Sequence, residues 1–291
     1  MHLEKIVDPW KNKPYLISSD NSFDWKGTIG VGDILFGLNI AHMCDHLVRK
    51  TRDVSHTTMN AHWTHDHDYL HHFEDPETII ERTNYLHSLF YNSELVKINH
   101  VCNSDDREIQ MLRYRGVQPV SNPMKVIEGL QSWIFRRELW CDNPVENKIV
   151  FWRTLFNANQ PYAWKRSFKA HHWEKIIRTL ESKGFNLVEL TYRTPVREAF
   201  YHINTSRFCI FYDGMWQYIA RNLCKPVIAL GDSNILAIHN PQGVHFKTPA
   251  VDKNGGSLFT YLNSIEKNLS HLDRRANKYR ELIMRELNVT Y

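Results

Sequence analysis

"RFCIFYDGMWQYIARNLCKPVIALGD", residues 207–232, reads as strand, helix, strand. Its opening run from Phe208 to Tyr212 is apolar at consecutive positions, as in a strand covered on both faces. Residues 215–225 then take a helical pattern, and "PVIALGD" (226–232) returns to a buried strand. Strands joined by helices of ten or so residues imply βαβ units and a parallel sheet. The alternation extends back through "KIVFWRTLF" (148–156, strand), "HHWEKIIRTLESKG" (171–184, helix closed by glycine), "NLVELTY" (186–192, strand) and "VREAFYHINTS" (196–206, helix). The second half is therefore a Rossmann-like α/β domain. Beyond the Gly-rich "DKNGGS" (252–257), Leu258, Leu262, Ile265, Leu269 and Leu272 recur at helical spacing over 258–288.

The first half predicts a strand at "YLIS" (15–18), a helix over about 33–49, and a polar, histidine-loaded stretch to about residue 72. A helix follows over "DPETIIERTNYLHSLFYNS" (75–93), with Asp75 as N-cap, Pro76 at the first position and Glu77 in the first turn. A strand over 94–101 and a helix over 105–116 complete it. The polar, proline-bearing "CDNPVENK" (141–148) marks the boundary. The expected layout is an N-terminal domain over 1–146, a C-terminal Rossmann-like domain over 147–257, and closing helices over 258–291 that pack back towards the N-terminal domain.

The 291 residues, 42% hydrophobic and 23% charged, describe an ordinary globular chain with a sizeable core. No run approaches the roughly 18 apolar residues of a membrane span, and the N-terminus lacks a signal-peptide core. A cytoplasmic protein is expected. Five scattered cysteines fit reduced thiols and match no zinc spacing. A formal charge of +4, which 17 histidines would raise in mild acid, permits a polyanionic partner without demanding one.

"GTIGVGDILFGLNIA" (27–41) brings Gly27, Gly30 and Gly32 up to a helix with Asp33 in its first turn. The dinucleotide fingerprint fails because Leu35 stands at its third glycine, and no Gly-Lys-Ser/Thr P-loop occurs. What remains is a flexible turn that lets a ligand approach the backbone. Asp33 either complements the helix dipole or serves chemistry, and spacing alone leaves both open. In the second half, Asp213 and Gly214 lie between a strand's carboxyl end and a helix start, the edge where open α/β sheets bind ligands. Arg153, Lys165 and Arg166 fall in the loop after that domain's first strand, where cations could neutralise a diphosphate or simply face solvent.

Three segments together carry a resemblance. "GVGDILFGLNIA" resembles the N-terminal Gly-Asp turn of the lipopolysaccharide heptosyltransferase family; "DGMWQYIARNLCKP" (213–226) is similar to its Asp-Ser-Gly…His-Leu-Ala…Lys-Pro segment; "KRSFKAHHWEKIIRTL" (165–180) is similar to its Lys-x-Trp-Pro…Trp segment. The resemblance implies the GT-B fold, α/β with two Rossmann-like domains facing a cleft, and an enzyme: a glycosyltransferase using a nucleotide-diphosphate sugar and no further cofactor. It implies Asp33 as catalytic base. Arg166, with Lys165 as fallback, would hold the leaving diphosphate, and Asp213 and Gly214 would form the donor turn. Tyr218 replaces the family's His, Gly214 and Met215 replace its Ser-Gly, and "SDNSFDWKGTI" (19–29) is read as an extra stretch before Gly30. The sugar, nucleotide and acceptor are thus left open.

Transfer would be inverting and metal-independent, with Gly30, Gly32, His65 and Asp66 on the acceptor side. A rival metal reading rests on "HWTHDHDYLHH" (62–72), whose Asp66-His67-Asp68 could hold a divalent cation but matches no established histidine pattern. The acceptor is read as DNA or a glycan, slightly favouring a hydroxymethylated base of phage DNA in a host cytoplasm. Cations interleaved with aromatics in "WIFRRELW" (133–140) and "YAWKRSFK" (162–169) would suit phosphate contact and base stacking, or merely pack the core. Two further classes stay open: a non-catalytic nucleic-acid binder and a metal hydrolase built on 62–72.

Overall fold

The structure, a computed structural model, describes residues 3–8, 13–18, 21–28, 30–51, 53–64, 76–101, 134–153, 170–191, 193–212, 215–231, 242–247 and 256–286. It divides into two compact units, Met1–Glu138 and Leu139–Tyr291.

In the first unit, β1 (Leu3–Asp8) and β2 (Lys13–Ser18) pair antiparallel, while β3 (Ser22–Thr28), β4 (Thr57–Thr64) and β5 (Val96–Val101) form a parallel sheet in that order. Helix α1 (Val31–Thr51) joins β3 to β4, and α2 (Pro76–Ser88) lies between β4 and β5 in sequence. Two expectations need correction. Residues 22–28 are strand β3, so the glycine turn follows a strand directly instead of being separated from one by an extra stretch. The histidine-loaded stretch begins with strand β4, in which Met59 and Ala61 are buried at period two. Polar residues on alternate positions hide such a strand from a reading that looks for apolar runs.

Helix α1 is buried around most of its girth from Ile34 to His42, the mark of a helix inside a core. Gly37 makes this possible on the β3 side. A Cβ there would lie 2.5 Å from Nε1 of Trp25, a side chain only 1% exposed. Phe36 meets the same indole edge-on, with centroids 5.4 Å apart. At the other end of α1, buried Asp45 accepts from Nε of Arg49 at 2.9 Å and from the Thr57 hydroxyl at 3.0 Å, and Arg49 donates to the Val54 carbonyl at 2.7 Å. These bonds fix the return from α1 into β4.

The second unit contains β6 (Val145–Trp152), α3 (Ala170–Glu181), β7 (Asn186–Leu190), α4 (Val196–Thr205), β8 (Ser206–Tyr212), α5 (Met215–Asn222), β9 (Val227–Gly231) and β10 (Val244–Lys247), then α6 (Gly256–Asn263) and α7 (Ile265–Glu286). All strand pairs are parallel, in the order β10-β9-β8-β6-β7. Phe208, Ile210 and Tyr212 of β8 share one core with Trp173, Ile176 and Leu180 of α3 and with α6 and α7 residues such as Leu258, Leu262 and Leu272. Cys209 and Phe211, equally buried, face the other way, and α4 and α5 also pack on β8.

Helix α3 ends as its sequence promised. Gly184, at φ +80°, puts the Phe185 amide on the Leu180 carbonyl and its own amide on that of Glu181. Helix α5 closes in the same pattern, Lys225 to Ala220 and Cys224 to Arg221, but with cysteine at φ +50° where glycine is usual.

Candidate functional site

The order of the five strands decides where a ligand can sit in the second unit. Numbered within that sheet the order is 2-1-3-4-5, which reverses direction between β6 and β8. In open α/β sheets the crevice at the carboxyl ends of the strands flanking such a reversal is the binding place, because the helices that follow them depart to opposite faces. Arg153 immediately follows β6 there. Asp213 and Gly214 are the two residues between β8 and α5; they lie outside the described residues, as do Lys165 and Arg166.

Arg153 is fixed by geometry. Its Nε and Nη2 donate to the two carboxylate oxygens of Glu189, both at 2.6 Å. Glu189 lies in β7 beside Phe151 of β6, so adjacent strand ends hold the pair. The carboxylate bonded to it raises the guanidinium's pKa above its ordinary value, ensuring a permanent cation at this edge. Glu189 was not singled out in the sequence, since a lone glutamate in a strand carries no local signal.

Tyr218 occupies α5 and is 8% exposed, with the Arg221 guanidinium 5.4 Å from its ring centroid. The ring therefore has a cation over one face.

In the first unit, the Gly30 carbonyl accepts from the Ile34 amide at 3.0 Å, which makes Gly30 the residue before the helix proper. Val31 and Gly32 follow, and Asp33 is the third helical residue, at the carboxyl edge of the β3-β4-β5 sheet. Here the helix N-terminus presents backbone N–H groups and favours negative charge. His65 and Asp66, just after β4, lie outside the described residues, as does the rest of 62–72 beyond Thr64. Among the described residues no cluster of three or more His, Cys, Asp or Glu side chains is placed to hold a metal.

Beneath α1 lies a histidine cluster that the sequence reading missed. His42 stacks on Phe90, with centroids 4.5 Å apart and planes 6° apart, and its ring is 5.3 Å from that of His87. Burial drives the pKa of His42 well below its usual value, with His87 adding to the effect. Burial, then His100, brings His87 down to about 4, against an opposing pull from Glu94. These imidazoles are neutral packing groups at pH 7.

The aromatic residues of 134–140 also prove structural. Phe135 is fully buried, edge-on to Phe90 at 5.0 Å, and Trp140 lies buried with Arg280 4.7 Å over its ring. Neither offers a face for base stacking. The second such stretch, 162–169, lies outside the described residues. No helix among the described residues is long and apolar enough to cross a membrane.

Neither a protein-family profile nor a curated protein sequence matches the chain. Solved structures do resemble it in fold. The iron-containing dodecameric glycosyltransferase TibC of enterotoxigenic E. coli H10407 matches with TM-score 0.43 and 11% identity over 81% of this chain, which spans 64% of that one. The E. coli heptosyltransferase WaaC with ADP matches with TM-score 0.45 and 10% identity, covering 85% of this chain and 99% of that one. The same enzyme with ADP-2-deoxy-2-fluoro heptose gives 0.42 and 10% over the same shares.

Proposed function

We propose that this chain is a GT-B glycosyltransferase that moves a sugar from a nucleotide-diphosphate donor to an acceptor hydroxyl, with inversion and with no metal or other cofactor in the chemistry. The observation that carries the reading is the strand order of the second unit. What supports it is that Arg153, clamped by Glu189, follows β6 and the start of α5 follows β8, the two strands that flank one switch point. A diphosphate there meets a fixed cation and a helix N-terminus. Lys165 and Arg166 join it in this reading, and Asp213, Gly214 and Tyr218 complete the donor contacts.

The acceptor side is the turn of Gly30 and Gly32 leading to Asp33, with His65 and Asp66 beyond. Asp33 takes the proton of the attacking hydroxyl as its oxygen bonds to the anomeric carbon. The bond from that carbon to the diphosphate oxygen breaks, and the leaving group departs with the electron pair. A base within about 3 Å of the hydroxyl contributes typically 10²–10⁴-fold, and preorganised positive groups around the departing charge supply the larger share.

The acceptor we place first is a hydroxymethylated base in phage DNA, flipped out of the stack towards Asp33; a lipopolysaccharide or other glycan is the alternative. With Phe135 and Trp140 buried, the support for DNA is the mildly basic chain and residues 162–169. Mass spectrometry of nucleosides and glycans from cells expressing wild type or Asp33→Asn tests all of this. A hexosylated nucleoside or extended glycan present only with wild type is expected. A new glycoside made equally by both would overturn Asp33 as base, and none from either would overturn the transferase reading. A non-catalytic nucleic-acid binder would show DNA affinity indifferent to Asp33→Asn.

A further inference from the structure

Helix α5 is buried on all sides from Trp216 to Asn222, and one of those side chains is a guanidinium. Arg221 is 1% exposed, yet among the described residues no carboxylate pairs with it, and its Nε and Nη2 find no acceptor. What the guanidinium does meet is Tyr218, one turn earlier on the same helix, with its carbon 5.4 Å from the ring centroid. Residues three apart on a helix share a face. Helical side chains lean towards the helix N-terminus, so Arg221 reaches back over Tyr218 in the direction of the end that follows β8.

A helix C-terminus favours a cation, and Arg221 stands in the last turn of α5. Capping does not account for it, because neither Nε nor Nη2 donates to the closing carbonyls. Stability does not account for it either. An ion buried without a counter-charge is costly, and an apolar residue of similar volume in its place often leaves a protein as stable or more so. The contact that this burial secures is the one with the ring. A cation is held more strongly over a desolvated aromatic face than over an exposed one, and it draws density from the ring, which makes the phenol hydroxyl a better hydrogen-bond donor.

We propose that Arg221 is a positioning residue of the donor site: it fixes the Tyr218 ring and puts positive charge behind it, so that the hydroxyl holds the diphosphate of a nucleotide. The inference rests on the donor-site reading of Tyr218 given above. Arg221 is closed off from solvent and acts only through the ring. An apolar replacement should therefore weaken nucleotide binding without weakening the fold, the opposite of what loss of a packing residue does.

The test is calorimetric titration of the full chain with ADP, GDP, UDP and CDP, alongside thermal unfolding, for wild type, Arg221→Met, Arg221→Lys, Tyr218→Leu and the Tyr218→Leu, Arg221→Met double variant. Arg221→Met should bind the nucleotide that wild type binds about tenfold more weakly, with Tm equal or higher. Arg221→Lys, which keeps a charge at the ring, should return to within roughly threefold of wild type. Once Tyr218→Leu has removed the ring, Arg221→Met should weaken binding no further. Binding by Arg221→Met equal to wild type would overturn the inference and leave the transferase reading standing; wild type that binds none of the four nucleotides would overturn the donor reading and the inference with it. Weaker binding that comes with a lower Tm, or with failure to fold, would make Arg221 a packing residue and overturn its positioning role as well.

Discussion

Replacing Gly37 by alanine should destabilise the first unit even though alanine is the better helix former. The new methyl would stand 2.5 Å from Nε1 and 2.8 Å from Cδ1 and Cε2 of Trp25. Ordinary contact begins near 3.4 Å, so the indole must retreat by roughly 1 Å from a site where it is 1% exposed and already braced by Phe36. Overpacking of this kind costs about 1–3 kcal/mol, while exchanging glycine for alanine inside a helix returns about 1 kcal/mol. The net expectation is a loss of about 1 kcal/mol, read in urea as a lower midpoint with an unchanged slope, or as a fall in Tm of about 3 °C. The control is the same change in a Trp25→Phe background, where the smaller ring leaves room and Gly37→Ala should become neutral or stabilising. A rise in stability on Gly37→Ala in the wild-type background would refute the reasoning, since it would mean that the β3–α1 contact yields freely.

Asp33→Asn should lower kcat for sugar transfer by about 10²–10⁴-fold with donor affinity nearly unchanged, as measured by separate turnover and donor-binding titrations. Acid should weaken the fold through the buried histidines. The unfolded chain binds protons near pH 6.5 while folded His87 resists until about 4, so its contribution is complete above pH 6.5 and disappears as pH falls towards 4. That window is worth on the order of 3 kcal/mol from His87, at 1.36 kcal/mol per pKa unit; urea midpoints from pH 7 to 4.5 measure it, and His87→Gln should flatten the profile. Glu189→Gln leaves Arg153 without its charged partner at a partly exposed edge. It should cost only about 0.5 kcal/mol of stability but alter the donor KM, which kinetics with varied donor would register.

The alternating α/β pattern of the second unit was legible in residues 148–232, because strands covered on both faces leave apolar runs that polar helix faces interrupt. The Gly184 stop was legible too, since a left-handed residue closing a helix is a local demand. Strands β3 and β4 were not: Asp24 and Lys26, Asn60 and His62 break up the apolar positions in their sequences, and only pairing along the sheet makes such a segment extended. The position of Asp33 at the start of α1 follows from three glycines and an apolar run, all local. That Arg153 is held by Glu189, 36 residues away, depends on β6 and β7 being neighbours, and that Arg207 of β8 is held by Asp273, 66 residues away, depends on α7 packing back beside that strand. Periodicity and turn chemistry act over a few residues and so are written in the chain; the meeting of distant charges depends on strand order and helix packing, which only the folded structure specifies.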